Sequence, residues 1–193
     1  MSELCMNYLI GDKVKLVKFT EQYMTPQYVG WLNNPEVNRY LNTGRFPVCR
    51  QELITPSGEK NLMFAIMSNI GSDSADKLWK DTEYNHYIGT CSLHDIDWIS
   101  RKGEIGYMVG EKTHWGAGIA TELIYLLTGY AFNRLNLNKL TAGVVEINKG
   151  SIKALEKNGF KQFAIFEQEY YLDGKYLDSY RFHNFKNWRK DKV

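Results

Sequence analysis

Apolar positions along the chain come in short runs, and their spacing changes from run to run. Residues 13–20 alternate: Val14 and Leu16 share one side, with Lys18 continuing it, and Lys13, Lys15, Val17 and Phe19 take the other. That period predicts a first strand. Residues 27–41 predict a helix, a restart at Pro35 capped by Asn33 or Asn34, and a second short helix. The runs at 62–68, 86–97 and 103–109 predict further strands. Between Ile119 and Leu135 the pattern turns helical, with Ile119, Ala120, Leu123, Ile124, Leu127, Tyr130 and Ala131 on one face. Residues 139–147 predict a strand with little alternation, as expected when both faces are covered. Ser151 to Asn158 predict a helix stopped by Gly159. Two β-rich runs, 160–170 and 176–186, flank Asp173-Gly174, a hairpin signal. Strand, helices, strands, helix, strand, helix and hairpin together predict a mixed α/β sheet in one domain.

The length of 193 residues agrees with one domain. Its core is expected at about 10–186, with a polar loop insertion at 69–85 and a basic tail at 187–193. A net charge of +2 gives no strong steering toward nucleic acid. Cys5, Cys49 and Cys91 are odd in number and widely spaced, which suits reduced thiols rather than a disulfide framework or a zinc site. No apolar run reaches the roughly 20 residues of a membrane span, and the first residues lack a signal-peptide pattern. A cytoplasmic protein with no membrane, nucleic-acid or metal partner is expected, either a monomer or a homodimer.

The sharpest motif is Trp115-Gly116-Ala117-Gly118-Ile119-Ala120-Thr121, between the strand ending near Val109 and the central helix. Small residues at a helix start let ligand oxygens reach the unpaired N–H groups of the first turn, and the helix dipole favours their negative charge. A phosphate-loop NTPase would need a lysine that does not follow. A dinucleotide fold would need a third glycine where Thr121 stands, and a strand running straight into the turn. A coenzyme A cradle and a tight turn without ligand remain.

A second motif, Asn148 to Phe160, reads NKGSIKALEKNGF. With the glycine turn upstream, it resembles the Gcn5-related N-acetyltransferase (GNAT) superfamily. That family's first cofactor motif is [QR]-x-x-G-x-[GA], and its second is N-x-x-[AS]-x-x-x-[YL]-E-K-x-G-F. Trp115 departs from Gln or Arg and, with Thr121 and Glu122, resembles the branch of ribosomal-protein-alanine N-acetyltransferases. The Trp31-Leu32-Asn33-Asn34-Pro35-Glu36-Val37 run is similar to the family's substrate-side helices.

The resemblance implies a single-domain, mostly antiparallel central sheet flanked by helices, with splayed central strands binding CoA. It implies acetyl-CoA as donor, bound by Met108, Val109, Trp115, Gly116, Ala117, Gly118, Ile119, Ala120, Thr121, Asn148 and Ser151. It also implies direct attack of a primary amine, with a backbone N–H near Met108 or Val109 stabilising the oxyanion. An alkyl ammonium has a pKa near 10.4, so a base is needed at neutral pH. Glu104 leads the candidates, followed by His94 and Asp95. Leu155 stands where the family often has a tyrosine acid, so either another group such as Tyr107 or water serves the leaving thiolate, or no acid is required. Tyr28, Trp31 and Tyr170 are expected near the acceptor. The acceptor is expected to be an amino sugar or sugar nucleotide, a protein N-terminus, or a small polyamine or aminoglycoside. A CoA-binding module without turnover and a nicotinamide-dependent oxidoreductase are the alternatives.

Overall fold

In a computed structural model, residues 7–43, 45–53, 58–68 and 87–186 are described. The expected loop insertion at 69–85 and the tail at 187–193 lie outside the described residues. The chain runs β1 (Asn7–Ile10), β2 (Val14–Lys18), α1 (Pro26–Leu32), β3 (Leu62–Ser68), β4 (Tyr87–Asp97), β5 (Lys102–Val109), α2 (Ile119–Gly129), β6 (Lys139–Val145), α3 (Lys149–Lys157), β7 (Lys161–Leu172) and β8 (Lys175–Phe185). The eight strands form one sheet in the order β1-β2-β3-β4-β5-β6-β8-β7. Every neighbouring pair is antiparallel except β5 and β6.

Two apolar layers sandwich this sheet. On one face α2 and α3 bury Ile119, Leu123, Ile124, Leu127 and Leu155 against Val14, Leu16, Ile88 and Leu93. Leu123, Ile124, Leu127 and Leu155 are fully covered. Truncating any one of the three leucines to alanine would cost about 2–5 kcal/mol through lost burial and a cavity. On the other face α1 packs an aromatic cluster: the Tyr87 ring lies 5.1 Å from Trp31 and 5.2 Å from Tyr23. The alternation of β2 and the residue after it serves both layers, with Val14 and Leu16 in the first and Val17 and Phe19 in the second.

Three boundaries differ from the sequence pattern. The second helix expected after Pro35 is only a turn. Asn34 Oδ1 accepts from the Glu36 N–H at 2.9 Å, as a cap would, and the Asn38 N–H bonds the Asn34 carbonyl at 2.9 Å. The Asn38 side chain then reaches back to the Leu32 carbonyl at 2.7 Å, and the Leu41 N–H bonds the Asn38 carbonyl at 2.8 Å, so the segment continues as turns without a second helix. The central helix widens after Gly129 into a π turn over Tyr130–Arg134, closed by the Leu135 N–H on the Tyr130 carbonyl at 3.1 Å. The sequence pattern also missed β1, whose four residues are too few to display a period.

Both hairpin and helix-stop signals are met. Asp173 and Gly174 take φ of 50° and 80°, the paired left-handed geometry of a two-residue β-turn. Gly159 closes α3 at φ 77°.

Candidate functional site

The glycine turn is held from three sides. Gly116 and Gly118 adopt φ of 77° and 83°, a region other residues enter at a cost. Gly118 is the N-cap of α2, so the free N–H groups of the first turn open onto the space above it. The Trp115 indole N–H donates to the Val109 carbonyl at 2.8 Å and ties the turn to the end of β5. The Lys13 ammonium donates to the Ala117 carbonyl at 2.7 Å. The Glu122 carboxylate accepts from the backbone N–H groups of Asp12 and Lys13, which locks the β1–β2 turn against α2. A side chain at Gly11 would collide with that carboxylate.

Beside the turn the sheet opens. The parallel β5–β6 pairing runs Lys102↔Lys139, Gly103↔Leu140, Glu104↔Thr141 and ends there, while β5 continues to Val109 and β6 to Val145. The Gly110 N–H bonds the Ile88 carbonyl on β4 at 2.8 Å. Alternate residues of a strand turn their backbone to opposite sides, so the Val109 N–H faces the opening. Opposite, the Asn148 side chain caps α3 by accepting from the Ser151 N–H at 3.2 Å.

Turn, strand end and α3 enclose a cleft of about 740 Å³. Met108, Val109, Trp115, Gly116, Gly118, Ile119, Ala120, Thr121, Asn148 and Ser151 line it. Ala117 does not, since its carbonyl is turned to Lys13. Lys153 and Lys157, one turn apart on α3, add positive charge, and Glu36, Val37, Arg39, Tyr40 and Leu41 form the far wall. The lysine spacing was readable in the sequence. The wall was not, because a turn between helix and loop has no period.

A second cleft of about 730 Å³ lies on the α1 side of the sheet. Tyr107, Met108 and Leu41 line both clefts, so the two meet there. Tyr28 lines the second cleft; burial raises its phenol pKa, and a hydrogen bond with Thr90 works the other way. Trp31 lines neither cleft: its indole is buried on Tyr87, and any side chain at Gly110 would strike it. Tyr170 also lines neither. It stacks under the Arg45 guanidinium at 5.1 Å, beside an Arg39–Asp173 ion pair of 2.8 Å that joins the β7–β8 tip to the wall.

Thr90, Ser92 and His94 occupy alternate positions of β4 and so line one face of the second cleft. The Ser92 hydroxyl lies 3.3 Å from His94 Nδ1. Glu104 pairs with His94 across the β4–β5 ladder yet lines neither cleft. Its carboxylate meets Arg181 at 2.6 Å and accepts from the Thr141 hydroxyl at 3.2 Å. Asp95, at φ 52°, is exposed and lines neither cleft.

Tyr107 reaches from β5 toward α3. Burial pushes its phenol up to about 12, with the neighbouring Ser151 hydroxyl working the other way. The two hydroxyls face each other without forming a well-aligned hydrogen bond, so the buried Tyr107 oxygen lacks a partner. Leu155, one turn beyond Ser151, is fully buried in the core. Among the described residues, no three His, Cys, Asp or Glu side chains gather to hold a metal ion.

The acetyltransferase (GNAT) domain model matches residues 13–161. An N-acetyltransferase of Bacillus licheniformis, p20, is 30% identical over 152 residues, covering 78% of this chain and 80% of that one. The fold matches spermidine N-acetyltransferase from Vibrio cholerae, solved with CoA and spermine, at a TM-score of 0.74 and 21% identity over 89% of this chain and 95% of that one. It also matches RimL, a ribosomal L7/L12 alpha-N-protein acetyltransferase solved with coenzyme A, at a TM-score of 0.73 and 17% identity over 91% and 95%.

Proposed function

The chain belongs to the GNAT acetyltransferase family and is an N-acetyltransferase, and from that premise we propose how its own residues divide the reaction. Acetyl-CoA occupies the cleft between β5, α2 and α3, and a primary amine enters from the α1 side. The observation that carries this reading is the meeting of the two clefts at Tyr107, Met108 and Leu41, beside the unpaired end of β5.

The N–H groups at the start of α2 hold the diphosphate, with Lys153 and Lys157 adding charge. Two left-handed glycines suit this, because nothing within 4 Å blocks approach over Gly116. Asn148, Ser151 and the open backbone of β5 line the pantetheine path. The Val109 N–H donates to the thioester carbonyl as negative charge builds there.

The amine nitrogen forms the new bond to the acetyl carbon as the C–S bond breaks. His94 accepts the proton lost by the ammonium, because it lines the acceptor cleft and Glu104 does not. Glu104 and Arg181 form a fixed ion pair behind it. The Tyr107 hydroxyl steadies the leaving thiolate from the α3 side, in place of the tyrosine that Leu155 replaces. A phenol near 12 holds its proton more tightly than a thiol with an ordinary pKa of about 8.5, so Tyr107 acts as a hydrogen-bond donor and solvent supplies the final proton.

The acceptor is a small-molecule amine or a protein N-terminus. Release of free thiol from acetyl-CoA in the presence of a panel of primary amines tests the reading. Turnover supports it, and binding of CoA without turnover of any amine assigns the chain to the role of a binding module.

A further inference from the structure

Resting on that assignment of the two clefts, the geometry points to an acceptor whose amine is carried on a bulky apolar group. The acceptor cleft is lined mainly by apolar side chains; besides one row on β4, its polar side chains are Tyr28, Thr43, Glu52, Asn61 and Tyr107. Thr90, Ser92 and His94 form one polar row along β4 that starts at the junction, where Thr90 pairs with Met108, and runs from there to His94 opposite Glu104. These groups are partly satisfied already: Thr90 serves Tyr28, and Ser92 serves His94. The remaining wall is dominated by Met24, Leu32, Leu41, Val48, Leu53 and Met63. Met24 and Leu32 are buried, at 6% and 2% exposure, and so present fixed apolar surface rather than flexible fringe.

Charge points the same way. Among the described residues, Glu52 is the one carboxylate that lines this cleft. Glu52 accepts from the Cys49 N–H at 2.8 Å, and the Cys49 contacts hold its pKa below the ordinary value. One fixed negative charge matches one ammonium. A polyamine would leave its other ammonium groups beside leucine and methionine side chains, where an unpaired charge is costly. A sugar would bring several hydroxyls to a wall with few free partners, at a similar kind of cost. An alkyl or aromatic arm instead gains about 0.8 kcal/mol for each buried methylene, a factor of about four.

The experiment measures acetyl-CoA-dependent thiol release with a series from propylamine to hexylamine, with 2-phenylethylamine, with a peptide beginning with leucine, and with spermidine and glucosamine. These alkylamines share nearly the same basicity, so the series isolates burial. The expected result is a kcat/KM that rises about fourfold per methylene, with spermidine and glucosamine at least tenfold below hexylamine. Leu53→Asp is expected to lower kcat/KM for hexylamine at least tenfold and to leave CoA affinity unchanged, which also reports that the variant is folded.

A leucyl peptide surpassing hexylamine when rates are compared per concentration of free-base amine, since a peptide N-terminus is more than about a hundredfold less basic, identifies a protein N-terminus as the source of the apolar arm. The reverse order identifies a small amine. A flat or falling alkyl series with good turnover of spermidine or glucosamine overturns the apolar acceptor and leaves acetyl transfer standing. Thiol release with none of the amines, in protein that binds CoA, overturns both.

Discussion

The Trp115 indole N–H sits 2.8 Å from the Val109 carbonyl, linking the first residue of the glycine turn to the last residue of the strand that opens the sheet. This bond gives a physical role to a tryptophan where the family motif has glutamine or arginine. It also faces the Val109 backbone into the opening. Trp115→Phe keeps the ring and removes the donor. A neutral hydrogen bond contributes about 0.5–1.5 kcal/mol, so acetyl-CoA affinity is expected to fall about three- to tenfold. Isothermal titration of wild type and variant measures this.

Gly118 is the most constrained point of the cradle. Its φ of 83° disfavours side chains, and a Cβ there would lie 3.0 Å from the Lys13 ammonium. Gly118→Asp adds a negative charge where the diphosphate is expected, and Ala120→Asp does so two residues further on. Each is expected to weaken CoA binding at least a hundredfold, about 2.7 kcal/mol or more. Circular dichroism identifies variants that fold, and unchanged affinity in a folded variant contradicts the placement.

His94 and Glu104 face each other across β4 and β5 but are expected to separate in kinetics. His94→Asn should lower kcat/KM at pH 7 by about 10²–10⁴, the usual worth of a general base. The loss should shrink as pH approaches 10, where the amine supplies its own free base. Glu104→Gln leaves Arg181 half-buried without its partner. It is expected to cost about 1 kcal/mol of stability, discounted for partial exposure, and to change kcat/KM less than threefold. Urea melts and pH–rate profiles of both variants check the pair. A larger kinetic loss in Glu104→Gln reverses the assignment.

Much of this arrangement was legible in the chain because each part has a local signature. Gly116 and Gly118 are turn residues fixed by backbone geometry, and Asn148 and Gly159 are a cap and a stop. Ten of the eleven cofactor residues expected from the family resemblance line one cleft, with Ala117 the exception. The acceptor side was much less legible. Met24, Leu41, Val48, Leu53 and Met63 come from a helix flank, two loops and a strand, so tertiary packing alone brings them together. The surroundings of Glu104 were hidden for a related reason. Its position on a central strand is visible in the sequence, but Arg181, 77 residues later, reaches it over Gly143, where a side chain would collide with the guanidinium. Trp31 and Tyr170 line neither cleft, a placement the sequence does not reveal because aromatic rings serve cores and clefts alike.

Tyr107 links catalysis to alkaline stability. Tyr107→Phe removes the donor proposed for the leaving thiolate and is expected to lower kcat about tenfold, with little change in the KM for acetyl-CoA. Burial raises the Tyr107 pKa to about 12, so folding favours the neutral phenol. Below the ordinary tyrosine value of about 10, both folded and unfolded chains are protonated and the full stability is present. Above it the unfolded chain ionises first, and stability falls as pH rises through the folded value. Burial raises Tyr28 and Tyr87 in the same direction. Urea midpoints are expected to hold up to about pH 9 and then drop. The phenylalanine variant should lose about 1 kcal/mol less than wild type on going to pH 11.

The most direct test is a crystal structure of the protein with acetyl-CoA. Diphosphate oxygens on the amide hydrogens of residues 116–120, and the thioester carbonyl within hydrogen-bonding reach of the Val109 N–H, are the expected result. A nucleotide bound elsewhere on the chain, with the space between β5 and α3 left to solvent, would contradict it.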